Sequence, residues 1–330
     1  MDKDEGLFFS NTERIRALKE RSSTLPDKHA ECPDIRIHLP IVGLSHLEKW
    51  FRVEIAGEIG ILKVDIEATI DLPSTMRGFN ISRHNEVIDE IAASSYVSEK
   101  PVSIESLSGL IAQQLLMRHE YSMDSCVSVK TPYPYSHKTP NGIQTQQNCK
   151  VIFTAWGRRV EGNPVIIKHG IAVTVESVLS CPLARAMIQT DAKETLSAEL
   201  TKHEVEKTLE LLPLGTHMER CFSTLEIASS TKFDFRVNHL IDILENAASA
   251  PLFELLKRPD ELEVVKTLLS KNRFVEDSTR EVALNVLKLC HNLPKETSLR
   301  IKFESLFPLA KYHVVSVLDS NLGEIEKEIF

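Results

Sequence analysis

The chain has 330 residues, of which 42% are hydrophobic and 26% charged, and its formal net charge is −8 at pH 7. These proportions are ordinary for a soluble globular protein, and the acidic balance with scattered lysines and arginines argues against a nucleic-acid binder. No apolar run approaches the roughly 18 residues of a transmembrane helix, and the polar first segment holds no secretory signal. We therefore expect a cytoplasmic protein that works without a membrane.

The six cysteines are far apart and none forms a CxxC pair. A chain of this length does not need disulfide bonds for stability, so we expect free thiols in a reducing compartment. A thiolate metal ligand remains open for any of them, since spacing alone selects none: Cys32, Cys126, Cys149, Cys181, Cys221 and Cys290.

In chain order, residues 1–33 are interpreted as a polar N-terminal tail. Alternation of Val64, Ile66, Ala68 and Ile70 with polar residues predicts a half-buried strand. It belongs to a first group of elements, which consists of strands, two amphipathic helices and further strands. The predicted bounds are 36–45, 50–57 and 60–73 for strands, 85–97 and 103–121 for helices, and 125–135 for a strand.

A second group of similar order follows. The predicted strands are 148–160, 164–179, 221–228, 299–307 and 312–320, and the predicted helical segments are 181–212, 237–249, 252–259, 260–272 and 279–290. The repeated order of strands, helices and strands predicts an α+β fold in two halves, residues 34–147 and 148–330. Long antiparallel sheets often need a partner at their edges, so an oligomer is also expected.

Cys181 and His217 are candidates for chemistry. Cys181 follows a strand, and Pro182 marks a helix start, where the helix dipole can stabilise a thiolate. The alternative for Cys181 is a small buried side chain at a strand-to-helix junction. His217, in a loop before a strand, is either structural or a metal ligand or proton shuttle.

Two acidic segments each allow a purely structural interpretation. Asp260 follows Pro259 and is placed to cap the helix that begins there. Ser278 and Glu281 fit a capping box, and Asp277 would lie near the positive end of the same helix dipole. Glu276 is left without a structural role.

The segment "STMRGFNISRH", residues 74–84, joins a strand to a helix. Arg77 and Arg83 are either part of a solvated turn or a pair for phosphate oxygens, which guanidinium groups bind in a bidentate way.

Several segments, in order from about residue 34 to about 320, together resemble the GTP cyclohydrolase IB family. They are "DLPSTMRGFNISRHNEVIDEI", "LSCPLARAM", "GTHMER", "HLIDILENAASAPLFELLKRPDELEVV" and "NRFVEDSTREVA". The Lys-Arg-Pro-Asp-Glu and Phe-Val-Glu-Asp motifs, fifteen residues apart from Glu261 to Glu276, are the most specific. The resemblance covers the bacterial type IB enzymes and the related archaeal enzyme.

This resemblance implies a tandem tunnelling fold (T-fold), with antiparallel sheets and helices on one face, assembled as a homotetramer. It implies an enzyme that opens the imidazole ring of GTP with a bound zinc, iron or manganese ion and releases formate. The implied product is 7,8-dihydroneopterin triphosphate or a close relative, on a folate or pterin route. A set of cysteine, histidine and carboxylate ligands suits these metals.

The resemblance also implies individual roles. Cys181 would be a metal ligand, Glu261 a second carboxylate at the metal, and His217 a ligand or proton shuttle. Glu276 would accept hydrogen bonds from the guanine N–H groups, which a two-oxygen carboxylate matches. The implied triphosphate ligands are Arg77, Arg83 and Lys257.

The sequence departs from the family pattern at several of these positions. Leu183, Ala184 and Arg185 stand where the family has Cys-Ser-Lys, and the chain ends without the family's Glu-Ser-Ile-His motif. Alignment on Ile325 makes Glu326 the candidate replacement ligand, with Glu324 as the alternative. Three hypotheses follow: a GTP cyclohydrolase, a diverged enzyme that opens another purine nucleotide or forms another product, and a non-catalytic protein that binds a nucleotide or a partner.

Overall fold

The computed structural model describes Arg16 and residues 26–330, apart from Ala56. Most of the predicted N-terminal tail therefore lies outside the described residues. Its last part packs on the loop that follows the second strand, since the N–H of Arg77 donates to the Glu31 carbonyl at 2.8 Å. Within the described part of the chain, no helix has the length and apolar character needed to cross a membrane.

The described residues form one antiparallel sheet of nine strands. Its order is β1-β2-β3-β4-β5-β6-β8-β9, and the short β7 pairs with the end of β5. The strands are β1 (Leu39–Ile55), β2 (Glu58–Leu72), β3 (Asp124–Lys138), β4 (Gln144–Val160), β5 (Asn163–Ser180), β6 (Met218–Ser229), β7 (Ala250–Pro251), β8 (Ser298–Ser305) and β9 (Val314–Asn321).

The helices lie between these strands in the chain. They are α1 (Ile81–Val97), α2 (Ile104–Arg118), α3 (Pro182–Leu196), α4 (Lys202–Leu211), α5 (Val237–Ala247), α6 (Arg258–Ser270), α7 (Val275–Leu289) and α8 (Leu322–Ile329). Alternate strand residues such as Phe51, Val151 and Phe303 are fully buried and belong to a single hydrophobic core with apolar residues of α1, α2, α5 and α7. The period-two pattern thus turns one sheet face towards the helices.

The prediction of a tandem tunnelling fold is corrected by this sheet. Strands β3 and β4 pair without a register shift from Asp124 opposite Arg158 to Lys138 opposite Gln144, so one continuous ladder crosses the boundary between the predicted halves. A short turn joins the two strands: Gly142 has a positive φ of 83°, and its N–H donates to the Thr139 carbonyl at 2.8 Å. Because the turn is so short, β4 must return directly alongside β3.

Three local predictions also differ from the structure. The helix predicted at 252–259 is absent before Arg258, because Pro251 pairs with Ser177 and the Leu252 carbonyl accepts a hydrogen bond from the Gln147 side chain. The first two predicted strands form one long strand, β1. The C-terminal helix α8 was not predicted; Asn321 caps it by accepting from Glu324 N–H at 2.9 Å.

Candidate active site

Cys181 and His217 lie side by side at the end of β5. The N–H of Cys181 donates to the carbonyl of His217 at 3.2 Å, and the Thr216 hydroxyl donates to the carbonyl of Cys181 at 2.7 Å. Cys181 is the N-cap of α3, and its Sγ accepts from the Ala184 N–H at 3.3 Å. The sulfur therefore lies at the positive end of the helix dipole, beside the backbone N–H groups of the first turn.

His217 presents an unused nitrogen at this junction. Its ring packs edge-on against Phe307, with the ring centroids 5.4 Å apart, and its Nδ1 is buried without a hydrogen-bond partner in the described structure. Glu219, two residues further on, also has a buried oxygen without such a partner. Glu219, the second residue of β6, was not predicted; the available signal was its position two residues after His217, at the start of a strand. These unsatisfied atoms are the kind that a bound ion would satisfy.

Ser180 joins the Cys181 junction to the start of α7. It is fully buried; its hydroxyl accepts from Asn272 Nδ2 at 2.8 Å, and its carbonyl accepts from Arg273 N–H at 3.0 Å. Arg185, on α3, donates to Asn272 Oδ1 at 2.9 Å. The segment that carries Glu276 is therefore held against the segment that carries Cys181, as the family resemblance requires.

The start of α7 differs from the predicted capping box. The helix begins at Val275, four residues before Thr279, and Phe274 is its N-cap. Asp277 makes the capping contact, since its Oδ2 accepts from Phe274 N–H at 3.1 Å, whereas Glu281 pairs with Arg273 at 3.3 Å. Ser278 is buried and makes no capping bond.

The side chain of Glu276 is exposed and has no hydrogen bond or ion pair within the part of the chain that the structure describes. An open cleft of about 500 Å³ lies at the same end of α7, lined by the neighbouring Asp277 but not by Glu276. The cleft contains three basic residues that were not predicted, and its lining is Ser270, Lys271, Asn272, Arg273, Asp277, Arg280, Glu281 and Leu284. Burial, and then the nearby charge of Arg273, lower the pKa of Lys271. Glu281, which pairs with Arg273 at 3.3 Å, acts in the opposite direction on the pKa of Lys271.

Glu261 and Lys257 lie at the start of α6. The predicted capping role of Asp260 is confirmed: its carboxylate accepts from Lys257 N–H at 3.3 Å and also from Asn141 N–H at 2.9 Å. Burial acts to raise the pKa of Asp260, but hydrogen bonds from Thr139, Asn141 and Lys257 lower it to about 2. Glu261 itself is exposed.

Glu261 is displaced from Cys181 along α6. Ser180 donates to the Leu268 carbonyl at 2.6 Å, seven residues after Glu261. At 1.5 Å per residue this is a separation on the order of 10 Å along the helix.

The remaining predicted residues lie elsewhere in the chain. Glu326, on α8, pairs with Lys295 beyond the C-terminal end of α7, whereas Cys181 adjoins the N-terminal end of α7. Arg77 pairs with Glu31 at 3.4 Å, and Arg83 lies in the first turn of α1. These arginines follow β2, at the sheet end where β5 begins, on the order of 55 Å from Cys181 by the length of β5.

Two of the predicted ligands fit a divalent metal. Cys181 and His217 provide a sulfur at a helix start and an unsatisfied imidazole nitrogen, a combination suited to zinc or iron. Within the described residues, however, no group of three or more histidine, cysteine or acidic side chains is arranged to hold a metal. Among the described residues, Glu261 and Glu326 therefore do not join Cys181 and His217 in such a group.

The chain matches the family model described as "Type I GTP cyclohydrolase folE2" over residues 25–308. It therefore belongs to the type I GTP cyclohydrolases of the folE2 kind, and the predicted membership of the GTP cyclohydrolases is confirmed at this level.

Among curated proteins, it is 30% identical over 311 residues to GTP cyclohydrolase MptA of Methanospirillum hungatei JF-1, covering 93% of this chain and 94% of that protein. The protein of the same name from Methanosarcina mazei is 31% identical over 317 residues, covering 94% and 99%.

Among solved structures, a uricase from Arthrobacter globiformis matches with a TM-score of 0.47 and 8% identity, covering 87% of this chain and 94% of that one. A uricase from Bacillus fastidious matches with a TM-score of 0.45 and 9% identity, covering 88% and 96%. Likenesses this distant do not bear on the chemistry of the site.

Proposed function

We propose that this protein is a GTP cyclohydrolase that opens the imidazole ring of GTP by hydrolysis and releases formate, on a route to pterins. The observation that carries the proposal is the junction at which Ser180 holds the Cys181 segment against the start of α7, which carries Glu276. The product 7,8-dihydroneopterin triphosphate and the narrower type IB assignment stay predictions, as does a cytoplasmic location.

Cys181 and His217 are the residues that would hold the metal. When bound, a divalent ion of this kind supplies Lewis-acid activation of water. Glu276 accepts hydrogen bonds from N1–H and the exocyclic amine of guanine, and its free, exposed carboxylate supports that role. His217 has a second ring nitrogen for moving a proton at the site.

The triphosphate needs several positive groups. We extend the predicted set of Arg77, Arg83 and Lys257 with Lys271, Arg273 and Arg280, because these three line the cleft that Asp277, the neighbour of Glu276, also lines. Arg273 and Arg280 are paired with Glu281 and Asp277 of α7, at 3.3 and 3.6 Å, so a phosphate group must displace those carboxylates to bind both arginines.

We also propose that the working enzyme is an oligomer, with a homotetramer as the predicted form. Support comes from the distance between Arg77 and Cys181 and from the two outer strands of the sheet, β1 and β9. Outer strands keep unpaired N–H and C=O groups that a second chain can use. In such an assembly, Arg77, Arg83, Glu261 and Glu326 could serve a site that begins with Cys181 of another copy.

The direct test is incubation of metal-reconstituted protein with GTP, followed by measurement of formate and of fluorescent oxidised pterin. We expect both products, and we expect Cys181→Ala to lose bound metal and turnover while keeping its circular dichroism spectrum.

Each other outcome of this test has a definite meaning. Formate without pterin would favour the diverged purine-nucleotide enzyme. Wild-type protein without stoichiometric metal and without turnover would contradict both enzyme hypotheses and leave the non-catalytic binding protein.

A further inference from the structure

A buried polar chain links α5 to the loop that precedes α6. Glu245 of α5 and Gln147 of β4 are 6% and 7% exposed. The hydroxyl oxygen of Tyr135, on β3, lies 2.9 Å from Glu245 Oε1 and 2.9 Å from Gln147 Oε1. Gln147 Nε2 then reaches the Leu252 carbonyl at 2.9 Å. The chain of contacts therefore runs from Glu245 through Tyr135 and Gln147 to Leu252.

The backbone fixes the orientation of the Gln147 amide. The Leu252 carbonyl can only accept a hydrogen bond, so the amide NH₂ must face it. The amide oxygen, which can also only accept, must then face Tyr135. Since the phenol has one hydrogen, that hydrogen is committed to Gln147.

The contact between Tyr135 and Glu245 therefore needs a second hydrogen. Two oxygens 2.9 Å apart in a buried site are hydrogen-bonded, and the tyrosine has only lone pairs left to offer. The carboxyl group of Glu245 is the remaining source. We infer that Glu245 is a neutral carboxylic acid in this structure, that it donates to Tyr135, and that this proton positions the loop 252–257 for the reaction.

The other ionisable groups around Glu245 agree with a retained proton. His137 of β3 has its Nε2 3.7 Å from Glu245 Oε2, too far for a hydrogen bond, and burial lowers the pKa of His137, which disfavours a charged partner for the carboxyl group. Asp242 of α5, Cys149 of β4 and Glu254 of the loop face the same network. Burial raises the pKa of Glu245 to about 7, and the charge of Asp242 acts in the same direction.

The loop connects this network to the candidate site. Phe253 stacks on His137 with ring centroids 4.8 Å apart, and the loop then leads to Lys257 and Glu261. On the other side, α5 is followed by Ser249, whose hydroxyl accepts from Ser180 N–H at 3.1 Å, next to Cys181. The role of the loop 252–257 in catalysis rests on the proposed function, whereas the assignment of a proton to Glu245 does not.

Loss of the proton has a defined structural effect. A Glu245 carboxylate would take the Tyr135 hydrogen, and the Gln147 oxygen would then face a lone pair instead of a donor. The pKa of Glu245 is raised in the folded state, so its contribution to stability is complete below the ordinary carboxyl pKa. That contribution is lost as pH rises through about 7. The loop should therefore loosen on the alkaline side.

Infrared spectroscopy tests the proton directly. Wild-type protein should show a protonated-carboxyl stretch at pH 6 that disappears as pH rises through about 7, and Glu245→Gln should lack it. Asp242→Asn removes an exposed acid one turn earlier on α5 and should keep the band. Absence of the band from wild-type protein at pH 6 would overturn the inference.

Hydrogen exchange and turnover test the positioning. Glutamine at position 245 can donate to Tyr135 at any pH, whereas alanine cannot. At pH 8.5, amides of 252–257 should exchange about fivefold faster in wild-type protein and Glu245→Ala than in Glu245→Gln, which corresponds to one hydrogen bond. The kcat of Glu245→Gln should persist to higher pH than that of wild type.

The outcomes separate the two proposals. If exchange and kcat of Glu245→Gln follow the wild-type pH dependence, the positioning role is wrong. If no variant turns over GTP but the infrared and exchange results hold, the proposed function fails and the protonated network stands.

Discussion

The starts of α6 and α7 have the same local design. In each, an aspartate in the first turn accepts the N–H of the N-cap residue: Asp260 from Lys257 at 3.3 Å, and Asp277 from Phe274 at 3.1 Å. In each, a neighbouring glutamate, Glu261 or Glu276, is exposed. One acid of each pair stabilises the helix, and the other stays available for a ligand.

The two capping acids differ in how far they reach. Asp260 is 1% exposed and also holds Asn141 at the turn between β3 and β4, so it joins α6 to the sheet. The side chain of Asp277 is 44% exposed, and its contacts with the described residues, the Phe274 N–H and Arg280, are both local to the start of α7. The same sequence pattern therefore serves tertiary structure at α6 and local structure at α7.

The largest expected effect separates the two acids of α7. Glu276→Ala should lower kcat/KM for GTP by at least about 100-fold, because hydrogen bonds from guanine to a charged acceptor are lost. Its melting temperature should change little, as is usual for an exposed side chain. Steady-state kinetics and thermal unfolding measure both quantities, and Asp277→Asn is the control. Equal losses of turnover in the two variants would contradict this division of roles.

The next effect concerns stability at α6. Asp260→Ala should lower the melting temperature more than any other acid-to-alanine change at these two helix starts, because it leaves Asn141 and Lys257 N–H groups buried or uncapped. Glu261→Ala should leave the melting temperature near that of the wild type. Thermal unfolding of both variants at pH 7 measures the contrast. A small effect of Asp260→Ala would show that the turn between β3 and β4 does not depend on this contact.

The smallest expected effect is that of Asp277→Ala. It should cost about 1 kcal/mol of unfolding free energy, the typical value of one helix cap. Denaturant titration against wild type measures this cost. A loss equal to that of Asp260→Ala would remove the distinction between local and tertiary capping.

The sequence predicted that Asp260 and Asp277 would stabilise helix starts, but it did not predict the residue at which α7 begins. Ser278 and Glu281 have a capping-box spacing, but so do Phe274 and Asp277 once a phenylalanine is accepted as N-cap. A search for serine, threonine, aspartate or asparagine at the N-cap misses this start. The start of α7 is marked instead by a tertiary contact, the hydrogen bond from Arg273 N–H to the Ser180 carbonyl just before the helix.

The Cys181 and His217 pair was predicted because family motifs mark both residues. The roles of Ser180 and Gln147 could not be read in the same way, since each depends on which carbonyl comes within reach after folding. Glu245 is a similar case, because a single acid on an apolar helix gives no sign that Tyr135 will approach it. The separation of Glu326 from Cys181 could not be predicted either. The two residues lie near opposite ends of α7, and the local sequence around each gives no information about that distance.

The turn around Gly142 has a mechanical consequence for the whole sheet. Because β3 and β4 are hydrogen-bonded to each other from that turn onwards, the predicted halves, 34–147 and 148–330, cannot move apart as two hinged bodies. Any opening that admits a ligand must come from loops or from movement between chains. Cleavage of the chain at this turn would let the fragments separate and would leave an unpaired strand edge on each. Such edges can pair with the sheets of other proteins as well as with each other.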